Sequence, residues 1–294
     1  MRRIVLTLIL GVCLLTTACN KSIVEKNQKG DEVISAKDVE GSKEEKLLEK
    51  DSMKEKVINE VNFSESFQDI NGCAYFYDEN DNRYDIYNSK LTKEQISPYS
   101  SFKIISTLMG LDAGVIQSKQ STMGYNGENY WNEDWNKNLN LEEAFKTSCV
   151  WYFEKVVDGL SKDYVQKILE SLEYGNNDLS TWTATGHNDF WLDASLKISP
   201  EEQIEVLVKI FNYKTSFSKE HINLLKEIML VKSDQEYKIY GKTGSAKVEN
   251  GWFVGFFEKN DRKVYFAVRL DEEFLELPGP KAKEITFDII KQYY

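Results

Sequence analysis

The sequence predicts an α+β fold: an antiparallel β-sheet flanked by helices, with an all-helical subdomain. Three observations point there. Two strand-like segments come early, a long series of helix-period segments follows, and three more strand-like segments precede a last helix. The 294 residues are 41% apolar and 13% aromatic, enough for a sizeable core and too apolar for a disordered chain.

The elements follow in order. Arg2 and Arg3 precede an apolar run of 12 residues, Ile4 to Leu15. Spanning a bilayer takes about 20 residues, so residues 1–18 read as a signal peptide rather than a permanent anchor. Thr16-Thr17-Ala18-Cys19 resembles a bacterial lipobox, with Thr16 where Leu is usual. Residues 19–62 then read as a lipidated N-terminus at Cys19 followed by a charged, solvated tether, with a helical piece over residues 46–61. Membrane attachment would run through that lipid, on the outer face of the cell membrane, with plain secretion or an uncleaved anchor as the alternatives.

The pattern turns apolar and aromatic at Phe63, where the folded region 63–294 begins. Cys73–Tyr77 and Arg83–Tyr87 form a hairpin around an Asp- and Asn-rich turn. Phe102–Ile116 carries Ile104, Ile105, Leu108 and Leu111 at helical spacing. Residues 141–160 and 162–173 are helical, the second stopping near Gly175. Ser199-Pro200-Glu201-Glu202 is a helix start with a capping box, and another helix runs from Ser218 to Leu230. Tyr237–Thr243, Trp252–Glu258 and Lys263–Leu270 are strands. Pro278 and Pro280 break the chain, and a helix from Lys283 closes it.

Composition excludes several function classes. The formal net charge is −11 and the pI near 5.0, which leaves no basic footprint for nucleic acid. With only His187 and His221, a histidine-rich zinc site is excluded and no metal is expected. Four cysteines do not make a disulfide framework. Cys73 and Cys149 sit in apolar runs and read as small buried side chains.

Two motifs carry chemistry. Ser100-Ser101-Phe102-Lys103 is an S-x-x-K at a helix start. One helical turn brings Ser100 Oγ and Lys103 Nζ together, and the helix N-terminus favours a developing anion. The motif alone is common by chance, and Ser216–Lys219 repeats it in a polar turn. Lys242-Thr243-Gly244 lies on a strand and offers an ammonium, a hydroxyl and an edge without a side chain. The combination is the mark of penicillin-interacting serine enzymes.

With these motifs in hand, the stretch from Phe63 to Tyr294 resembles the class D β-lactamases (oxacillinases), members of the serine β-lactamase and penicillin-binding-protein superfamily. The elements that carry the resemblance are Ser100–Lys103, Ser148-Cys149-Val150 as S-x-V, Tyr174-Gly175-Asn176 as Y-G-N, Phe190-Trp191-Leu192, Lys242-Thr243-Gly244 and Gly251-Trp252-Phe253-Val254-Gly255. The resemblance implies hydrolysis of β-lactam antibiotics through a serine acyl-enzyme, hence antibiotic resistance. It implies Ser100 as nucleophile and Lys103, N-carboxylated by CO2, as general base. Phe102, Val150 and Trp191 would line the carbamate pocket. Ser148 would relay a proton to the lactam nitrogen beside Lys242. Thr243, Gly244 and Ser245 would bind substrate, the backbone N–H groups of Ser100 and Ser245 forming the oxyanion hole. The family's carboxylate-binding Arg is missing. Lys281 is its first replacement and Lys283 its second, without the fork of a guanidinium. Two alternatives share these motifs: a non-hydrolytic penicillin-binding sensor, and a cell-wall transpeptidase.

Overall fold

The computed structural model describes residues 54–294 except 247 and 248. The signal segment, Cys19 and most of the tether lie outside the described residues.

A seven-stranded sheet organises the molecule. Its strands are β1 (Val57–Glu60), β2 (Gly72–Asp78), β3 (Arg83–Tyr87), β4 (Leu230–Ser233), β5 (Lys238–Ser245), β6 (Asn250–Lys259) and β7 (Arg262–Asp271), in the order β1-β3-β2-β7-β6-β5-β4. Every pairing is antiparallel except β1 with β3. Both faces are covered, so β6 reads as a nearly continuous apolar run. Its alternation sends Trp252, Val254 and Phe256 into one core and Phe253 and Phe257 into the other.

The second core is closed by a short helix α1 (Ser64–Phe67) and by the C-terminal helix α8 (Pro278–Tyr293), through Phe63, Phe67, Ile285, Ile289 and Ile290. The first, larger core is built by the remaining helices: α2 (Lys103–Asp112), entered through a 3-10 turn at Tyr99–Phe102, α3 (Leu141–Lys146), α4 (Val150–Asp158), α5 (Lys162–Leu172), α6 (Pro200–Phe211) and α7 (Lys219–Ile228). The expected capping box at Ser199 is present, with Pro200 in the first turn.

Four sequence expectations are corrected. Residues 57–60 of the supposed helical tether are strand β1, so the folded region begins before Phe63. Val57 and Ile58 are exposed on this edge strand, and no buried stripe announced it. The single helix read across residues 141–160 is two, broken at Ser148, whose φ is +58°. Strand β4 was not foreseen after α7. Pro278 and Pro280 do not break the last helix but begin it, because first-turn N–H groups have no intrahelical acceptor to lose. Cys73 and Cys149 are both buried and free, as their apolar settings suggested.

Candidate active site

Ser100 lies in the 3-10 turn that leads into α2. The residue before it, Tyr99, has φ +49°, an uncommon conformation for a bulky side chain, and its N–H donates to the carbonyl of Trp191 at 3.0 Å. One turn on, Lys103 is wholly buried, and its Nζ lies 2.8 Å from Ser100 Oγ. The ring of Phe153 on α4 lies 5.4 Å from that nitrogen. Burial lowers the Lys103 pKa to about 7, outweighing the opposing influence of Cys149 and of the Glu154 carboxylate, which forms no salt bridge with it. An amine of this kind is largely deprotonated at mildly alkaline pH.

The break between α3 and α4 presents Ser148. A continued helix would have carried this hydroxyl along its own axis; the left-handed residue instead turns it to the sheet. Lys242, 4% exposed on β5, donates to Ser148 Oγ at 2.5 Å and to the Thr243 carbonyl at 2.9 Å. Phe145 on α3 covers it from 5.6 Å. Burial holds the Lys242 ammonium well below its ordinary pKa, and the charges of Lys103 and Lys283 add to the effect. Two serines and two buried lysines thus form two pairs, one on each side of the α2–β5 junction.

Gly244 makes that junction possible. A Cβ there would stand 2.8 Å from the carbonyl oxygen of Pro98 and 3.1 Å from the amide of Ser101. Only a residue without a side chain lets β5 close on the nucleophile's turn. Gly241 N–H bonds to Met229 on the β4 side, so alternation along β5 turns the N–H groups of Thr243 and Ser245 to the same edge. Strand β4 pairs only as far as Tyr240, and that edge is open where Ser245 sits. Ser245 Oγ in turn accepts from Gly279 N–H at 3.0 Å, tying α8 to the strand end.

The three side chains expected to line an apolar pocket divide between the core and a half-buried position. Phe102 and Trp191 are fully buried and stack at 5.5 Å, with Tyr174 and Phe190 edge-on to Phe102. Val150 is half-buried in the first turn of α4. The indole N–H of Trp191 is buried with no hydrogen-bond partner among the described residues. Such a donor costs free energy unless an acceptor arrives.

Lys281 does not join this group. Its ammonium pairs with Glu284 at 2.9 Å. Because the helix starts at Pro278, Lys281 and Lys283 are both helical, and two residues apart they point about 200° from each other. Lys283 is the one that lines a cavity with Lys242 and Thr243. Sequence reasoning missed Phe145 and Phe153, the rings over the two lysines. Their only signal was that they bracket Ser148 at near-helical spacing. The aromatic segment 125–135 lies beside the site: Trp135 donates its indole N–H to the Thr147 carbonyl at 3.0 Å.

Comparison with known proteins agrees with this geometry. The family model for the penicillin-binding protein transpeptidase domain matches residues 70–291. Regulatory protein BlaR1 of Staphylococcus aureus is 35% identical over 78% of this chain, which spans only 39% of BlaR1. The probable β-lactamase YbxI of Bacillus subtilis is 31% identical over 80% of this chain and 86% of its own length. The crystal structure of a class D β-lactamase from Bacillus subtilis superposes with a TM-score of 0.73 at 31% identity, covering 79% of this chain and 95% of that one.

Proposed function

Because the chain belongs to the class D β-lactamase family, among the penicillin-binding protein transpeptidase domains, we propose that it hydrolyses β-lactam antibiotics and so gives resistance to them. The observation that carries the reading is the wholly buried Lys103 amine, 2.8 Å from Ser100 Oγ with its pKa lowered to about 7. In this reading Ser100 Oγ attacks the lactam carbonyl and its proton passes to the Lys103 side chain. The N–H groups of Ser100 and Ser245 hold the oxyanion. The C–N bond breaks, and the proton taken up by Lys103 passes by way of Ser148, whose Oγ Lys242 adjoins, to the nitrogen, which restores Ser148 and frees the Lys103 base for the water step. Water then cleaves the ester, and Ser100 regains its proton.

We propose further that Lys103 works as its N-carboxy derivative. Only an uncharged amine captures CO2, and burial favours that form. The unpartnered N–H of Trp191 suits the added acceptor oxygens. The carbamate supplies an anionic base where a free amine would be half-protonated near neutral pH. Turnover of a chromogenic cephalosporin with and without added bicarbonate tests this. Sustained hydrolysis that bicarbonate stimulates is expected; turnover indifferent to CO2 removal would reject the modification.

The similarity to BlaR1 favours a second reading, a penicillin-binding sensor that stays acylated. A stoichiometric burst followed by a long-lived adduct in intact mass spectra would establish it instead. In either case we propose export and lipid attachment at Cys19, checked by labelled fatty-acid incorporation, which Cys19→Ser abolishes.

A further inference from the structure

The cavity that holds Lys242 and Thr243 encloses about 340 Å3 along the edge of β5. It continues past them to Lys146 and Lys283, with Leu230 and Val231 as an apolar wall. None of its lining residues is acidic, in a chain whose formal net charge is −11. Lys146 is answered by Glu142 at 2.6 Å. Lys242 gives its hydrogens to the uncharged oxygens of Ser148 and Thr243. Lys283 is half-buried, 5.4 Å from the ring of Phe287, and burial alone lowers its pKa. Two lysine side chains that no carboxylate answers, among the described residues, therefore share one cavity, and an anion entering it favours their charged forms. Cations held this way repel a third and gain from an anion.

Resting on the β-lactam reading above, the substrate's carboxylate lies at the Lys242–Thr243 end. The substituent next to that carboxylate on the fused ring then projects into the remainder of the cavity. We propose that this cavity selects β-lactams by the charge of that substituent, accepting anionic and apolar groups and rejecting cationic ones, with Lys283 as the specificity-determining residue. Leu230 and Val231 give an apolar group its contact surface; Lys283 sets the sign of charge tolerated.

The test uses three cephalosporins with one acyl side chain and an acidic, a neutral or a pyridinium group beside the carboxylate. The second-order rate of Ser100 acylation is read by intact mass, which reports whether or not the adduct turns over. The acidic compound should react about tenfold faster than the pyridinium one at low salt, and the ratio should shrink as salt rises. Lys283→Met should bring the ratio toward one, any loss of carboxylate grip being common to the three compounds and cancelling in the ratio. Lys283→Gln serves the same purpose should the Met variant fold poorly, and Lys281→Met should keep the wild-type ratio. Equal acylation of wild type by the charged pair, or a ratio that survives loss of Lys283, overturns the inference while the β-lactam reading stands. Failure of all three compounds to acylate Ser100 instead overturns that reading, and this inference with it.

Discussion

Lys103 is a stability liability that the chemistry explains. An unfolded lysine keeps its proton up to its ordinary pKa of 10.5, whereas in the folded chain it loses it near 7. Between those values the unfolded chain binds the extra proton, so stability rises with pH. This group's contribution is fully present above 10.5, declines as pH falls, and is gone below about 7. Each unit of pKa shift is worth about 1.4 kcal/mol, so below neutrality the burial costs several kcal/mol. Lys103→Met keeps the length and removes the amine. In CO2-free buffer it should be more stable than wild type by roughly 1–3 kcal/mol at pH 6, part of the gain being lost to repacking, and the advantage should vanish near pH 10. The same variant should lose about 10²–10⁴-fold in turnover, the usual worth of a general base. Denaturant unfolding across this pH range checks the first part; a difference independent of pH would mean that Lys103 is not the buried base.

The segment from Tyr174 to Ile198 shows what a motif can do without touching substrate. Asn176 donates through Nδ2 to the Ser195 carbonyl at 2.8 Å, and its Oδ1 accepts from Lys197 N–H at 2.9 Å. Tyr174 meets Phe102 edge-on. The turn thereby ties down the bend that follows Trp191 in the chain, while Tyr174 and Trp191 both pack on Phe102. Gly175 has φ +55°, and a Cβ there would stand 1.9 Å from the carbonyl oxygen of Lys197. Gly175→Ala should destabilise the protein by more than about 2 kcal/mol and, by loosening Trp191, raise the bicarbonate needed for full activity. A variant with lowered melting temperature but an unchanged bicarbonate requirement would separate the turn from the pocket. Elements of this kind were partly legible in the sequence. Long amphipathic helices announced themselves by period, and the central strands β6 and β7 by their apolar runs. The break at Ser148 did not, because its conformation is imposed by packing against the sheet, and neither did β1 or β4, whose exposed edge positions carry no apolar alternation.

At the scale of the whole molecule the site is a seam. Ser100, Lys103 and Ser148 belong to the helical half, and Lys242, Gly244 and Ser245 to β5, with Lys283 on the helix behind the sheet. Residues 100 and 242 stand far apart in sequence, so the motifs named the participants while their meeting depended on Gly244 letting the strand approach. The choice between Lys281 and Lys283 was hidden for a local reason, since it turns on where the last helix begins. A seam of this construction predicts a global effect of acylation. An acyl group bonded to Ser100, with its carbonyl oxygen on the Ser245 N–H and its carboxylate beside Lys242, ties the two halves together in the folded state only. Whatever binds the native and not the unfolded chain raises stability. Lys103→Met acylated by a penicillin should therefore melt several degrees above the same variant unacylated, since about 1 kcal/mol moves the melting temperature of a domain this size by roughly 2–4 °C. With Lys242→Ala added, most of that increment should disappear, because the adduct then grips only the helical half. Differential scanning fluorimetry on protein whose acylation is verified by mass reads both. An adduct that leaves the melting temperature unmoved would mean that the acyl group hangs from the nucleophile without engaging β5, and the assignment of Ser245 and Lys242 to the substrate would fall with it.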